Sequence, residues 1–402
     1  MSYQKFQATQ LFTGTEMLDA DHVLITDSNG KVEDIILSKD AGDNIQQLNG
    51  LLSPGFINCH CHLELSHMKG LIPEHTGLVD FVFKVVNERH FPEEEIRDAI
   101  ANAEDEMLLN GIVAVGDICN NTLTLEQKKL GRLSYYNFIE VSGWLTEVAE
   151  QRFEKSHTVY TAFSQLQNSS HNHSYKNQNC LVPHAPYSVS DKLWQLMSPY
   201  FENNTVTIHN QETAFEDDLF INGSGDFTRM YHKMQMDISF FKPPGKSSLQ
   251  SYFHKLNKAK KGLLVHNTFT KETDIVYASR ESEIMNLELY YCLCINANKF
   301  IEQTLLQIDM FRKNNCQLVI GTDSIASNWH LSILDELKTI TQHFPGIPLT
   351  ELLQWATCNG AKALQMENTL GSFEIGKQPG VILLDQLENK QITNKTSIKR
   401  LI

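Results

Sequence analysis

Almost everything that would mark this 402-residue chain as exported, membrane-spanning or disulfide-built is missing from it. No apolar run approaches the ~20 residues needed to cross a bilayer. The opening Met1-Ser-Tyr-Gln-Lys-Phe-Gln-Ala lacks the apolar core of a secretory signal. There is no Cys-x-x-Cys, and the eight cysteines (59, 61, 119, 180, 292, 294, 316 and 358) are scattered, with two Cys-x-Cys pairs. That usage suits buried thiols in a reducing compartment better than a disulfide framework or a zinc knuckle, so a cytoplasmic location is expected. Positive charge is scarce too: 34 Lys and Arg stand against 48 Asp and Glu, a net charge of −14. Such a surface repels phosphate backbones, which argues against nucleic acid as the main partner and leaves a small-molecule substrate, nucleosides included. No membrane partner is expected, and a homodimer is left open.

Several catalytic signatures are also absent. The chain has no His-Glu-x-x-His, no His-x-Glu paired with Pro-Cys-x-x-Cys, and no Gly-x-Ser-x-Gly elbow. Gly371-x-x-x-x-Gly376-Lys377 approaches a phosphate-binding loop. However, Gln378 stands where Ser or Thr is needed, and the segment runs into a strand instead of joining strand to helix.

What is present has a clear order. The length calls for a large domain plus a smaller one. Residues 1–52 read as short strands and turns, with Ser28-Asn-Gly30 between the apolar runs Val23–Thr26 and Val32–Leu37 predicting a hairpin. Residues 369–402 read alike, so both ends are expected to build one small β-sandwich domain. Between them, residues 53–368 alternate strand and helix. Strand candidates cover 55–60, 112–117, 180–184, 205–209, 262–266, 289–294 and 318–323, and a helix is predicted from Pro92. This alternation predicts a parallel α/β sheet, open or closed. The polar stretch 164–179 and Lys242–Ser248 are expected to be loops.

Several strand candidates end in a ligating or titratable residue: His62, His184, His209, His266 and Asp323. In a (β/α)₈ barrel the carboxyl ends of the strands meet at one mouth. In His60-Cys61-His62 the strand alternation puts both imidazoles on one face and sends the cysteines to the outer layer. His209-Asn-Gln-Glu212 sets a carboxylate three residues beyond a strand-tip histidine. Taken singly, Glu212 could be a solvated loop residue, His266 a satisfied core histidine and Asp323 a helix cap. Taken in order, three imidazoles and a carboxylate suit Zn²⁺ or Fe²⁺ with a position left for water. Such a metal lowers the pKa of its water from ~15.7 toward roughly 7. Asp323 and His266 suit removal of the water's proton, and Glu212 suits protonation of the leaving side.

The ordered set Pro54-Gly-Phe-Ile-Asn-Cys-His-Cys-His62, His184-Ala-Pro-Tyr-Ser188, His209-x-x-Glu212, His266 and Gly321-Thr-Asp-Ser-x-Ala-Ser-Asn328 resembles the amidohydrolase superfamily. The branch it resembles holds S-adenosylhomocysteine and adenosine-type deaminases, guanine deaminase and triazine chlorohydrolases. The resemblance implies a (β/α)₈ TIM barrel. It further implies one metal on His60, His62, His209 and Asp323, proton handling by Glu212 and His266, and substrate contact by His184. The strand ending Leu-Val-Pro-His184 carries no lysine of the kind that bridges two metals, which favours one. The run His60-Cys-His-Leu-Glu64-Leu-Ser is similar to aminodeoxyfutalosine deaminases; there Glu64 would meet a substrate hydroxyl or amine, or support a ligand histidine. The implied reaction is hydrolytic deamination of an aminated purine-type base or nucleoside, metal-bound hydroxide attacking the amine-bearing carbon. Dechlorination or other hydrolysis at a heteroaromatic ring is the alternative within enzymes, and a catalytically silent binding barrel the alternative outside them. The apolar Phe240-Phe241-x-Pro-Pro244 stretch is a candidate for stacking on a planar base.

Overall fold

Strands buried on both faces need helices on both sides of their connections, and this chain supplies eight of them in succession. The computed structural model describes residues 3–167 and 177–402. Its barrel strands are β1 (Phe56–Cys61), β2 (Ile112–Cys119), β3 (Ser134–Val141), β4 (Asn177–Pro183), β5 (Thr205–Asn210), β6 (Lys261–His266), β7 (Glu288–Leu293) and β8 (Gln317–Ile320). β1 to β4 pair in sequence, as do β5 to β8, and every pair is parallel.

Two seams close the ring. The backbone N–H of His209 donates to the His184 carbonyl at 3.0 Å, joining β5 to the end of β4. Those of Thr322 and Asp323 both donate to the His60 carbonyl, at 3.1 and 3.0 Å, joining the end of β8 to β1. Buried Asn58 strengthens this second seam: its Nδ2 donates to Thr322 Oγ1 at 2.8 Å, and Thr322 N–H donates to its Oδ1 at 3.0 Å. Gly321 makes the approach feasible, because a Cβ there would sit 2.8 Å from His60 Cβ and from Cys292 Sγ. The chain is a (β/α)₈ barrel.

Seven of these strands correspond to runs read from the sequence. β3 does not, because Asn137 and Glu140 interrupt its apolar character. Its period of two is nevertheless clear. Tyr135 and Asn137 face the buried Lys128 on the outer side, whereas Tyr136 and Phe138 stack at 4.6 Å and Tyr136 Oη accepts from Thr205 N–H of β5. The expected loop 164–179 needs correction at both ends. Residues 164–167 finish the helix Ala149–Gln167, whose Val159, Phe163 and Leu166 share one buried face, and 177–179 open β4. Residues 168–176 lie outside the described residues. The helix predicted from Pro92 spans Glu93–Leu109, with Pro92 as its cap.

The two ends of the chain pack as two small sheets. One orders Val32–Leu37, His22–Asp27, Tyr3–Gln7 and Gln46–Gln47. The other orders Ser397–Arg400, Val381–Asp385, Leu51–Pro54, Gln10–Phe12 and Met17–Leu18. Phe6, Leu11, Leu24, Leu52, Phe373 and Leu383 form their shared core. The hairpin pairs Val23 with Ile36, and Gly30 turns it at φ +82°. All eight cysteines are unpaired, and seven are buried. Among the described residues no helix is long and apolar enough to cross a membrane.

Outside β2 and β3 lies a fully buried ion pair, Lys128 with Asp117. The ammonium also donates to Asn137 Oδ1 at 2.7 Å, and Asp117 accepts the Leu63 N–H at 2.8 Å, directly after His62. A buried charge stripped of its partner is expensive, so Lys128→Met alone is expected to cost about 3–5 kcal/mol of stability. Urea unfolding measures it; a loss under about 1 kcal/mol, the worth of an exposed pair, contradicts the assignment.

Candidate active site

The C-terminal ends of β1, β5, β6 and β8 bring six of the candidate residues to one point. Asp323 Oδ1 lies 3.3 Å from His62 Nε2 and 3.6 Å from His60 Nε2. His209 Nε2 is 3.4 Å from His62 Nε2, and His266 Nε2 is 3.7 Å from Glu212 Oε1. His60, His209 and His266 form a second close trio, their nearest nitrogens within 4.8 Å of one another. His62 and Asp323 sit just past their strands, where the backbone is free to turn. Cys59 faces outward, within reach of the Gly360 helix, as the alternation requires.

Each side chain is fixed from behind. The His209 Nδ1 proton goes to the His184 carbonyl at 2.8 Å, and that of His266 to Asn298 Oδ1 at 3.0 Å. Both Nε2 lone pairs are thereby turned into the site. Asp323 Oδ2 accepts from Ser327 Oγ at 2.7 Å, leaving Oδ1 to the histidines. Beneath Glu212, Gln211 N–H donates to buried Glu216 at 3.0 Å, and the Gln211 amide reaches Asp217 and Asp274 at 3.1 and 3.0 Å. Left-handed backbone recurs here in non-glycine residues: φ is +43° at Gln211, +71° at His266 and +58° at Asp323. Such strain survives only where surrounding contacts over-determine it.

Burial sets the protonation states. It pushes the His62 pKa down to about 3 and that of His184 to about 4, and lowers His209 and His266 as well, so these imidazoles are neutral at pH 7. Burial, with Asp323 nearby, raises the Glu212 carboxyl well above its usual range. For Asp323 burial acts upward too, but His60, His62 and His266 together hold it well below the ordinary value. Both ring nitrogens of fully buried His60 lack a hydrogen-bond partner among the described residues. An imidazole left that way, facing two more and a carboxylate, fits a divalent metal ion.

A profile of the amidohydrolase family matches residues 51–401. The chain belongs to that family. Among curated relatives, an adenosine deaminase of Helicobacter pylori is 27% identical over 335 residues, spanning 82% of this chain and 78% of its own. An aminodeoxyfutalosine deaminase of Nitratiruptor is 25% identical over 352 residues, spanning 84% and 79%. Among solved structures, the aminofutalosine deaminase of Helicobacter pylori in complex with methylthio-coformycin superposes with a TM-score of 0.77 at 24% identity. It covers 96% of this chain and 93% of that one. The amidohydrolase barrel and its terminal β-domain are thus shared.

Two further candidates stand off the central cluster in this amidohydrolase. His184 follows β4 with Nδ1 2.6 Å from Ser188 Oγ, and its ring is 5.0 Å from that of His209. Glu64 is buried, and its Oε2 accepts the N–H groups of Asn120 (2.9 Å) and Asn121 (3.2 Å). Burial lifts its pKa to about 7 despite those bonds. Reasoning from sequence missed Glu140, at the end of β3, whose Oε1 is 3.6 Å from His209 Nδ1. Burial raises its pKa to about 7 as well. Its signal was the aromatic alternation of Tyr135-Tyr-Asn-Phe, in an interval between β2 and β4 too long for one connection. Asn298, which orients His266, carries no signal readable along the chain, whereas Ser327, which orients Asp323, stands inside the Gly321–Asn328 motif. Trp144, which follows β3, lies 5.3 Å from Phe241 and 6.3 Å from Phe240, which is half exposed.

Proposed function

We propose that this amidohydrolase is a hydrolytic deaminase of an aminated purine-type base or nucleoside, with aminodeoxyfutalosine among its candidate substrates. The observation that carries the reading is the pairing of Glu212 with His266, 3.7 Å apart, beside a set of three imidazoles and one carboxylate. The names of the relatives support the same reaction class. In this reading His60, His62, His209 and Asp323 hold one divalent ion, zinc by donor set and ferrous iron as the alternative. When bound, the ion supplies Lewis acidity and an acidified water.

The protein's own groups then divide the proton work. Glu212, whose carboxyl burial shifts toward its protonated form, donates to the ring nitrogen beside the amine-bearing carbon. Asp323 and His266 take one proton of the attacking water and pass it to the departing ammonia, and the hydroxyl proton of the intermediate restores Glu212 as the carbonyl forms. His266 does so through Nε2, since Asn298 occupies Nδ1. His184 and Glu64 serve the substrate side of the mouth. Phe240 and Phe241 cover the ring, so replacing both with alanine is expected to raise KM several-fold with little change in kcat; an unchanged KM removes them from the site.

The reaction is tested by ammonia release from metal-analysed protein with adenosine, S-adenosylhomocysteine, aminodeoxyfutalosine, guanine and a chlorotriazine. Ammonia from a nucleoside at one metal per chain supports the reading. Chloride from the triazine, with no ammonia from the other four, overturns it.

A further inference from the structure

The barrel mouth has two unequal halves. His60, His62, His209, Glu212, His266 and Asp323 all come from the ends of β1, β5, β6 and β8. The ends of β2, β3 and β4 hold instead Asn120, Glu140 and His184. Glu140 continues the inward row of Tyr136 and Phe138, which places it at the top of the barrel interior.

Glu140 is buried and only half satisfied. Its Oε2 accepts from Asn120 Nδ2 at 3.0 Å, and Glu64 in turn holds the backbone of Asn120 and Asn121. Its Oε1 is buried without a hydrogen-bond donor among the described residues. The nearby His209 Nδ1, at 3.6 Å, has already given its proton to the His184 carbonyl. No described lysine or arginine lies within ion-pair range. A buried acceptor is costly to leave open, and one held still beside a reaction site is shaped for a donor that arrives with the substrate.

With the amine-bearing carbon over the β1, β5, β6 and β8 half, Asn120, Glu140 and His184 at the ends of β2 to β4 are left for the rest of the substrate. Resting on the deaminase reading, we propose that Glu140 accepts a hydrogen bond from a sugar hydroxyl of the substrate. The preferred substrate class is then a ribonucleoside, not a free base or a nucleoside lacking that hydroxyl. The site is built for the hydroxyl, and the analogue without it leaves the carboxyl oxygen unpaired.

The test compares kcat/KM for adenosine, 2′-deoxyadenosine, 3′-deoxyadenosine and adenine in the metal-analysed wild type, Glu140→Gln and Glu140→Ala. The wild type is expected to favour adenosine over adenine and over the analogue lacking the recognised hydroxyl by roughly 10- to 100-fold, the usual cost of leaving a buried acceptor unpaired. Glu140→Ala closes that gap by losing rate on adenosine alone, at unchanged metal content; Glu140→Gln, which preserves shape, narrows it. Equal use of adenosine and both deoxy analogues by the wild type overturns the proposal, even should neither variant fold. An equal loss on all substrates in the variants overturns it too, and marks Glu140 as acting through His209. Silence on every nucleoside while guanine or the triazine reacts overturns the nucleoside reading itself, and the role of Glu140 with it.

Discussion

Glu212→Gln leaves the metal content of the protein intact and lowers kcat by about 10²–10⁴-fold, the usual worth of a positioned general acid. The separation follows from geometry. Glu212 faces His266 at 3.7 Å and has no contact with Asp323, His60 or His62 of the kind that joins those three. Glutamine keeps the volume and the buried position but has no acidic proton to deliver to a ring nitrogen. The strap beneath is untouched, because Gln211 is held by Glu216, Asp217 and Asp274. Metal analysis and steady-state kinetics on one preparation decide the matter. Normal turnover removes Glu212 from the chemistry, whereas joint loss of metal and turnover makes it part of the ligand set.

Alanine at His62 or Asp323 is expected to empty the metal site and reduce turnover to background, a larger loss than at Glu212. Four donors converge here, and removing one leaves three imidazoles, or two with a carboxylate, too few to hold the ion as the full set does. The fold is expected to survive. His62 lies just beyond the β1 ladder, and the seam at Asp323 is made by its backbone N–H to the His60 carbonyl, not by its side chain. Ser327→Ala is the milder companion. It removes the 2.7 Å hydrogen bond that fixes Asp323 Oδ2 and is expected to weaken metal affinity by about 10–100-fold. Chelator competition followed by metal analysis, with thermal unfolding in parallel, measures each step. Full metal occupancy in both alanine variants contradicts the ligand assignment.

The central cluster was legible in the chain because each member stands at a strand end, and strand ends announce themselves. His209 and His266 close apolar runs, His60 and His62 share a face through the period of two, and Asp323 follows Leu-Val-Ile-Gly-Thr. A parallel barrel turns that linear order into a ring, so residues up to 263 positions apart become neighbours without further instruction. The stretch at 164–167 misled, since Ser164 and Gln165 off the buried face of a helix look the same as a loop until Phe163 and Leu166 are seen to share its buried side.

Periodicity determined the parallel α/β class and the terminal β-domain, the family resemblance implied closure into a barrel, and the order of strand ends told which histidines and carboxylates would meet. Packing decided the rest. Asn298, on the helix Ile295–Glu302 after β7, became the partner of His266 because neighbouring segments of the barrel lean together, and Ser327 reached Asp323 through the turn of the loop they share after β8. Glu140 reached the mouth on a strand whose polar residues concealed it, and Glu64 turned to brace the Asn120 backbone. Hydrogen bonds of this kind depend on side-chain direction and on which proton is already engaged. Spacing along a chain carries neither.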